Sequence, residues 1–388
     1  VKIKQLPDDF QVDELTDVVP SFGPYALYRL EKTGWTTHDA VATVRRLWKL
    51  PANVISFGGL KDRHARTTQH LTIENGPPKD FTHAGVGLKY LGSVPEPFVS
   101  THIRANRFRI VVRDLTLEQA ERALAALDEV RIDGLANYFD DQRFGSVSAG
   151  GDFVARQMVL GNWEEALKLA LTTPYEFDRS AEKQIKTTLL KYWGDWPKCV
   201  SKLPRCHART LAEHLARNSG DYRGAIARLR PELSGLYLSA YQSHLWNRFL
   251  ANWLRKNLPA AQRVDVRLKL DALPMPRSAK ENLDGRVLPL PSARLRYDEE
   301  VSAAPPDWPE LLRETLRDEG IELEQLKLKG LRRPFFSRGE RAVLCRPANL
   351  TGSIASDERA NGRHKLLAGF ELPRGSYATL LIKRITTH

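Results

Sequence analysis

The chain changes its hydrophobic periodicity along its length. Over Asp9-Phe10-Gln11-Val12-Asp13-Glu14-Leu15, apolar and polar residues alternate, the period-2 pattern of a half-buried strand. Residues 25–30 predict a second strand. Thr36 and Thr37 offer N-caps for a helix with Ala40, Val44, Leu47 and Trp48 on one face, and Pro51 ends it. Residues 54–57 read as a short apolar strand broken by Gly58-Gly59. A basic loop follows, residues 70–73 resume an extended pattern, and residues 108–112 give a further strand. Thr116-Leu117-Glu118-Gln119 fits a capping box, with Leu117, Ala120, Leu124 and Leu127 as the apolar stripe behind it.

After about residue 160 the pattern becomes helical. Helices are expected over 163–171, 181–192, 206–217 and 234–255, the last with Leu238, Tyr241, Leu245, Phe249 and Trp253 on one side. The prolines of 260–308 predict loops and short strands, and 310–329 predicts a charged helix. Residues 368–385 read as a return to alternating strands. Outer β-rich segments around a helical middle imply an α+β fold. The expected division is a discontinuous domain, 1–162 and 348–388, interrupted by an inserted helical domain, 163–347. No internal repeat or low-complexity tract is evident.

Composition narrows the classes. The chain has 388 residues, 42% of them hydrophobic, which excludes a disordered or collagenous chain. No apolar run approaches the length of a membrane span. Residues 1–10 lack the apolar core of a secretory signal, and three scattered cysteines fit a reducing compartment, so a cytoplasmic protein is expected. Cys199, Cys206, His207 and His214 form C-x6-C-H-x6-H, unlike common zinc spacings, and no metal is expected there. Lys and Arg number 59 against 47 Asp and Glu, a net charge of +12. A surface of that sign attracts polyanions, and nucleic acid is the first partner to consider.

Two segments carry candidate chemistry. Phe57-Gly58-Gly59-Leu60-Lys61-Asp62-Arg63-His64-Ala65-Arg66-Thr67-Thr68-Gln69 places one carboxylate, Asp62, among Lys61, Arg63, His64 and Arg66. Neighbouring cations favour an ionised carboxylate, which serves as nucleophile or base, and the same cations can hold phosphates. A solvated turn with casual ion pairs is the alternative. The Gly-Gly pair lacks the spacing of a phosphate-binding P-loop. In Asn137-Tyr138-Phe139-Asp140-Asp141-Gln142-Arg143-Phe144-Gly145, aromatic rings sit beside amide, acid and guanidinium groups. Amides read base edges and rings stack on unpaired bases, whereas a buried aromatic turn is the plainer reading. Arg332-Arg333-Pro334-Phe335-Phe336-Ser337-Arg338 interleaves basic and aromatic residues, as either a backbone grip on RNA or a solvated loop.

Together these segments resemble the TruD family of tRNA pseudouridine synthases. The resemblance rests on Gly59-Leu60-Lys61-Asp62-Arg63-His64-Ala65-x-Thr67-x-Gln69 and Asn137-Tyr138-Phe139-x-x-Gln142-Arg143-Phe144-Gly145. Lys4-x-x-Pro7-x-Asp9-Phe10-x-Val12-x-Glu14, Leu30-x-Lys32-x-Gly34-x-x-Thr37, Leu238-Ser239-Ala240-Tyr241-Gln242-Ser243 and Gly375-Ser376-Tyr377-Ala378-Thr379 support it. It implies a pseudouridine synthase catalytic domain, a mixed, mainly antiparallel sheet with flanking helices, interrupted by the family's helical TRUD domain across a basic RNA-binding cleft. It also implies isomerisation of uridine to pseudouridine in tRNA, typically at position 13 of the D-arm, without cofactor or metal. On this resemblance Asp62 is the catalytic nucleophile and Lys4 its partner. Phe139 stacks on the flipped uracil and Asn137 hydrogen-bonds in the site. Glu14, Gln142, Arg143 and Tyr377 complete the substrate-binding set. Glu14 and Gln69 also read as structural supports, and Tyr377 stands where relatives often carry Phe.

The expected partner is therefore tRNA, with no membrane and no obligate protein partner. A catalytically inactive RNA-binding or chaperone module on the same fold is the competing class. A zinc-dependent base deaminase is excluded by the missing H-x-E and P-C-x-x-C elements. A glycoside hydrolase would need a second carboxylate placed beside Asp62, which no motif supplies. The charge yields a direct expectation. Affinity for tRNA should fall steeply with salt, each phosphate contact adding about −0.7 to −0.9 to the log–log slope. A salt titration with a flat response would contradict phosphate-dominated binding.

Overall fold

The computed structural model describes residues 2–175, 178–279, 283–328, 331 and 335–387. The chain divides into two compact units. One comprises Val1–Ala136, Met275–Ala279 and Cys345–His388, and the other Asn137–Pro274 and Lys280–Leu344. The helices expected after about residue 160 lie inside the second unit, behind a short helix, Val154–Val159.

The alternating segments of the first unit pair into one sheet. Among the described residues its strands are β1 (Phe10–Thr16), β2 (Tyr25–Thr33), β3 (Ile55–Phe57), β4 (Arg66–Glu74), β5 (Phe81–His83), β6 (Val86–Val94) and β7 (Ile103–Leu115). Ala348–Ser356 and His364–Pro373 complete it. From one edge the order is Ala348–Ser356, His364–Pro373, β7, β1, β4, β2, β6, β5, with β3 beside β4. β1 and β4 run parallel, and the other pairings are antiparallel. The fold is thus α+β with a mixed, mainly antiparallel sheet.

The parallel pair has a topological consequence. Gln11 lies opposite Arg66, so β1 and β4 start side by side. The segments that precede them, residues 2–9 and 58–65, therefore arrive at the same end of the sheet. β2 runs antiparallel to β4 and ends with Thr33 opposite Arg66, so residues 34–37 arrive there as well.

The two faces of the sheet differ because side chains alternate. On one, Tyr28, Leu30, Leu71 and Ile73 pack against Ala40 and Val44 of α1 (Thr37–Leu47). Thr36 caps α1, its Oγ1 accepting from the Asp39 amide at 3.1 Å. α2 (Leu117–Asp133) begins with the expected capping box. Thr116 Oγ1 accepts from the Gln119 amide at 3.1 Å, and Gln119 Oε1 accepts from the Thr116 amide at 3.0 Å. Leu47 and Leu117, at helix ends, stay largely exposed. The other face carries ion pairs, Arg109 with Asp13 at 2.8 Å and Arg107 with Glu371 at 2.7 Å. An antiparallel sheet tolerates such a solvated polar face.

The second unit is built around the long helix Pro231–Asn257, where Leu238, Tyr241, Leu245, Phe249 and Trp253 are all buried. Two elements differ from the pattern reading. The charged helix expected over 310–329 is Trp308–Asp318 and stops there; residue 329 lies outside the described residues. Gly320 takes φ +71°, the Ile321 amide donates to Leu316 O at 3.0 Å and the Gly320 amide to Arg317 O at 2.9 Å. That pair of bonds is a Schellman stop. The C-terminal segment is a strand, His364–Pro373, followed by a helix, Ala378–Thr386. Gly375 at φ +86° ends the extended run, and Ala378, Leu381, Ile382 and Ile385 bury at helical spacing. In the basic run 332–338, residues 332–334 lie outside the described residues. Phe336 is buried, whereas Phe335 is exposed beneath the Arg294 guanidinium, 4.0 Å from its ring centre.

Arg113 ties the first unit together. Its side chain is 4% exposed; Nε and Nη2 bond Asp9 at 2.8–3.0 Å and Nη1 bonds Asp357 at 2.8 Å. Asp9 also accepts from the Leu6 amide at 2.9 Å, which folds the N-terminal segment against β1. Removing a buried cation strands its carboxylates. Arg113→Met should therefore cost about 3–5 kcal/mol, read by denaturant unfolding of the first unit. A loss below about 1 kcal/mol would show that the cluster behaves as an exposed pair.

Candidate active site

Lys4 reaches its place through a pinned segment. Lys2 forms a bridge with Arg113, its amide donating to Arg113 O at 3.1 Å and its carbonyl accepting from the Arg113 amide at 2.8 Å. Pro7–Asp9 is a short 3-10 turn leading into β1. Between these anchors Lys4 takes φ +59°, in the left-handed region. A non-glycine residue there costs about 1–3 kcal/mol and persists where surroundings impose it, often at functional sites. The conformation sends Lys4 Nζ to Asp62 Oδ2 at 2.6 Å and over the Phe10 ring at 4.2 Å. Phe10 meets Phe108 edge-on, and Phe108 stacks on Phe370 at 5.4 Å.

Asp62 lies in the loop 58–65, which has no strand or helix of its own. Gly58 opens it tightly: a Cβ there would stand 2.7 Å from Ile103 Cδ1. Side chains from surrounding elements then supply the bonds that regular structure would have supplied. Gln69 Nε2 donates to Gly59 O at 3.0 Å, and Thr37 Oγ1 donates to Gln69 Oε1 at 2.8 Å. The Lys61 amide donates to Thr37 Oγ1 at 3.0 Å. Lys32 Nζ donates to Trp35 O at 2.8 Å, Lys61 O at 3.2 Å and Asp62 O at 2.8 Å. Arg63 Nε donates to Gly34 O at 3.3 Å.

The Lys61 side chain turns inward to Glu14 Oε2 at 2.7 Å. The Glu14 side chain has no exposed surface and also accepts from the His70 amide at 2.8 Å. Burial pushes the Glu14 carboxyl up, but the bonds from His70 and the Lys61 ammonium outweigh it and hold the group below its ordinary value. Glu14 thus props the loop from beneath. Burial draws the Lys32 ammonium down to about 8, against the opposing pull of Asp62. The Asp62 side chain keeps 41% of its surface exposed, so a fixed carboxylate is presented to solvent.

Tyr377 belongs to the same unit and caps the C-terminal helix, half-buried, its carbonyl accepting from the Leu380 amide at 3.2 Å. Lys4, Asp62 and, through Lys61, Glu14 are brought together directly.

The remaining candidates lie in the second unit. Asn137 is buried, its amide nitrogen donating to Ala342 O at 3.1 Å. Arg341, which carries no motif in the sequence, organises this segment. Its Nε donates to Asn137 O at 2.7 Å and Nη2 to Asn137 Oδ1 at 2.8 Å, and its guanidinium lies 4.2 Å from the Phe139 ring centre. Phe139 meets Trp246 edge-on at 5.7 Å. Asn247 of the long helix holds both backbone groups of Phe139, accepting from its amide and donating to its carbonyl at 2.8 Å each. Arg143 Nε donates to Ser243 Oγ at 3.2 Å, and the guanidinium stands 5.7 Å from the Phe139 ring. Gln142 is exposed in the 3-10 turn Asp141–Phe144. The result is a half-buried aromatic ring whose backbone is held in place, a ring type suited to stacking.

Among the described residues, no three His, Cys, Asp or Glu side chains are grouped to hold a metal. Cys199 donates to Tyr192 O at 3.2 Å, and His214 pairs with Asp221 at 2.8 Å. No helix of the described residues is long and apolar enough to cross a membrane.

The sequence model of the family described as tRNA pseudouridine synthase D (TruD) matches residues 1–281 and 288–385. The chain is 29% identical over 405 residues to the "Probable tRNA pseudouridine synthase D 1" of Methanococcus maripaludis, with 99% of each chain covered. It is 31% identical to the "Probable tRNA pseudouridine synthase D 2" of Methanocaldococcus jannaschii, covering 99% of this chain and 91% of that one. A crystal structure described as that of the "Putative tRNA pseudouridine synthase D (TruD)" from Methanosarcina mazei superposes with a TM-score of 0.74 at 26% identity. That superposition covers 99% of this chain and 93% of the other. A family model, full-length relatives and a solved fold that all match along nearly the whole chain have one common explanation: it belongs to the TruD family of tRNA pseudouridine synthases.

Proposed function

We propose that this protein isomerises uridine to pseudouridine in tRNA, at position 13 of the D-arm, with Asp62 as the reacting carboxylate. One observation carries the reading: Asp62 is exposed on a loop fastened along its length, 2.6 Å from the Lys4 ammonium. Net, the bond from C1′ to N1 breaks, the base turns, C1′ bonds to C5, and the hydrogen of C5 is replaced by one on N1. A fixed carboxylate serves this either by adding to C1′ while the base turns or by taking a proton from the sugar. Lys4 holds the carboxylate in place through its 2.6 Å bond to Asp62 Oδ2. The target base leaves its stack to react, and Phe139 receives it, with Asn137, Gln142, Arg143 and Tyr377 completing its binding. Glu14 serves from beneath, through Lys61. The segments 1–162 and 348–388 act as the catalytic domain and 163–347 as the inserted TRUD domain, and the enzyme works in the cytoplasm without metal or cofactor. An inactive RNA-binding module makes the same contacts but no product.

Asp62→Asn should abolish pseudouridine formation while leaving folding and tRNA binding nearly intact. The assay is single-turnover conversion of an unmodified tRNA transcript with enzyme in excess. A rate within about tenfold of wild type, about 1.4 kcal/mol of barrier, overturns the assignment. Phe139→Ala should slow turnover more than it weakens tRNA binding, since one stacked base is worth roughly 1–3 kcal/mol and phosphates supply most affinity. Equal losses in both, in a variant shown to be folded by thermal melting, would place Phe139 elsewhere.

A further inference from the structure

Lys32 is a cation to which the reading above gives no task. It lies on β2 and is 2% exposed. A charged amine this deep requires partners for every donor. Three donors meet three carbonyls, those of Trp35, Lys61 and Asp62. The last two belong to the peptide planes on either side of the Asp62 Cα. Those two planes fix the backbone dihedrals of Asp62 and hence the direction of its Cβ. An apolar residue at this position would leave three carbonyls unpaired, and an acceptor would repel them.

We infer that Lys32 is a positioning residue for the reaction: its buried ammonium grips both peptide planes flanking Asp62 and so aims the carboxylate at the reacting sugar. This rests on the reading of Asp62 as the reacting group. The charges acting on Lys32 are Asp62, which raises its proton affinity, and Lys61, which lowers it. Asp62 is itself paired with Lys4 and Lys61 with Glu14, while Arg63 turns to Gly34 O. On the neighbouring strands Thr67 and Val86 stand opposite.

The grip is therefore sensitive to pH. Below about 8 the ammonium fills all three bonds. Above it, a neutral amine has two donors and turns a lone pair toward the third carbonyl, so the loop slackens. Stability moves the other way. The folded value lies below the ordinary 10.5, so the cost of burying the charge is present in full below about 8 and is relieved as pH rises toward 10.5.

The experiment compares wild type with Lys32→Met in single-turnover assays between about pH 6.5 and 9.5, with tRNA affinity and amide hydrogen exchange read alongside. Wild-type turnover should fall through about pH 8. At pH 7 the variant should be at least about thirtyfold slower, about 2 kcal/mol of barrier, with tRNA affinity within about threefold and no further fall through that range. Exchange over residues 59–65 should quicken in the variant, while that of the helix Pro231–Asn257 stays unchanged. A variant within about threefold of wild type at pH 7, or one that keeps the same alkaline fall, overturns the inference. Should Lys32→Met lose its cooperative melt, Lys32→Gln takes its place. Should both unfold, the wild-type series decides, a flat profile counting against and a fall in which 59–65 lose protection relative to the helix Pro231–Asn257 at each pH counting for. If wild type forms no pseudouridine at any pH, the reading of Asp62 fails. The exchange comparison still shows whether Lys32 holds the loop.

Discussion

The site depends on how an irregular loop satisfies its backbone without a ladder. Buried amides and carbonyls need partners, and the loop 58–65 finds them in side chains of Thr37, Gln69 and Lys32. The arrangement works because three chain segments converge at one end of the sheet. Parallel pairing of β1 with β4 brings the Lys4 segment beside the loop, and antiparallel pairing of β2 with β4 brings Lys32 and the start of α1. Topology thus does for this loop what sequence proximity does for a turn.

Charge is also partitioned. The open face of the sheet holds its arginines in pairs with Asp13 and Glu371. Around Asp62, by contrast, cations outnumber anions. Lys4 pairs at the surface, whereas Lys61 is drawn down onto a wholly buried carboxylate. The buried pair contributes little net stability once desolvation is counted, and its value lies in where it puts the loop. Arg113, with two buried acids, acts in the same way one strand further along.

Much of this was readable from residues. Thr36 and Thr116 announce their helices because a capping hydroxyl is a local signal. β1, β2, β4 and β7 follow from their extended patterns and β3 from its apolar run, whereas β5, β6 and Ala348–Ser356 went unread. Two errors have physical causes. Gly320 stops a helix whose charge pattern continues past it, and the helical spacing of Ala378, Leu381, Ile382 and Ile385 is masked by a preceding strand of similar composition. Within the site, Asp62 and its motif were legible through family resemblance. Lys32, Thr37 and Gln69 stood in quoted motifs, but only three-dimensional convergence shows that they act on one loop. Arg341 and Asn247 left no signal, being an ordinary arginine in a short strand and an amide in a long helix.

The hold of Asn247 on Phe139 bears on how such a site can change over evolutionary time. One carboxamide grips the amide and the carbonyl of residue 139, in the manner of a neighbouring strand, and both bonds are to main-chain atoms. A grip on the main chain does not depend on which side chain the residue bears. Tyrosine or tryptophan at 139 would be carried on the same backbone, held by two bonds of about 1 kcal/mol each. The identity of the ring is thereby uncoupled from the anchoring of the segment, so the side chain at 139 can drift among aromatic residues while its position is inherited intact.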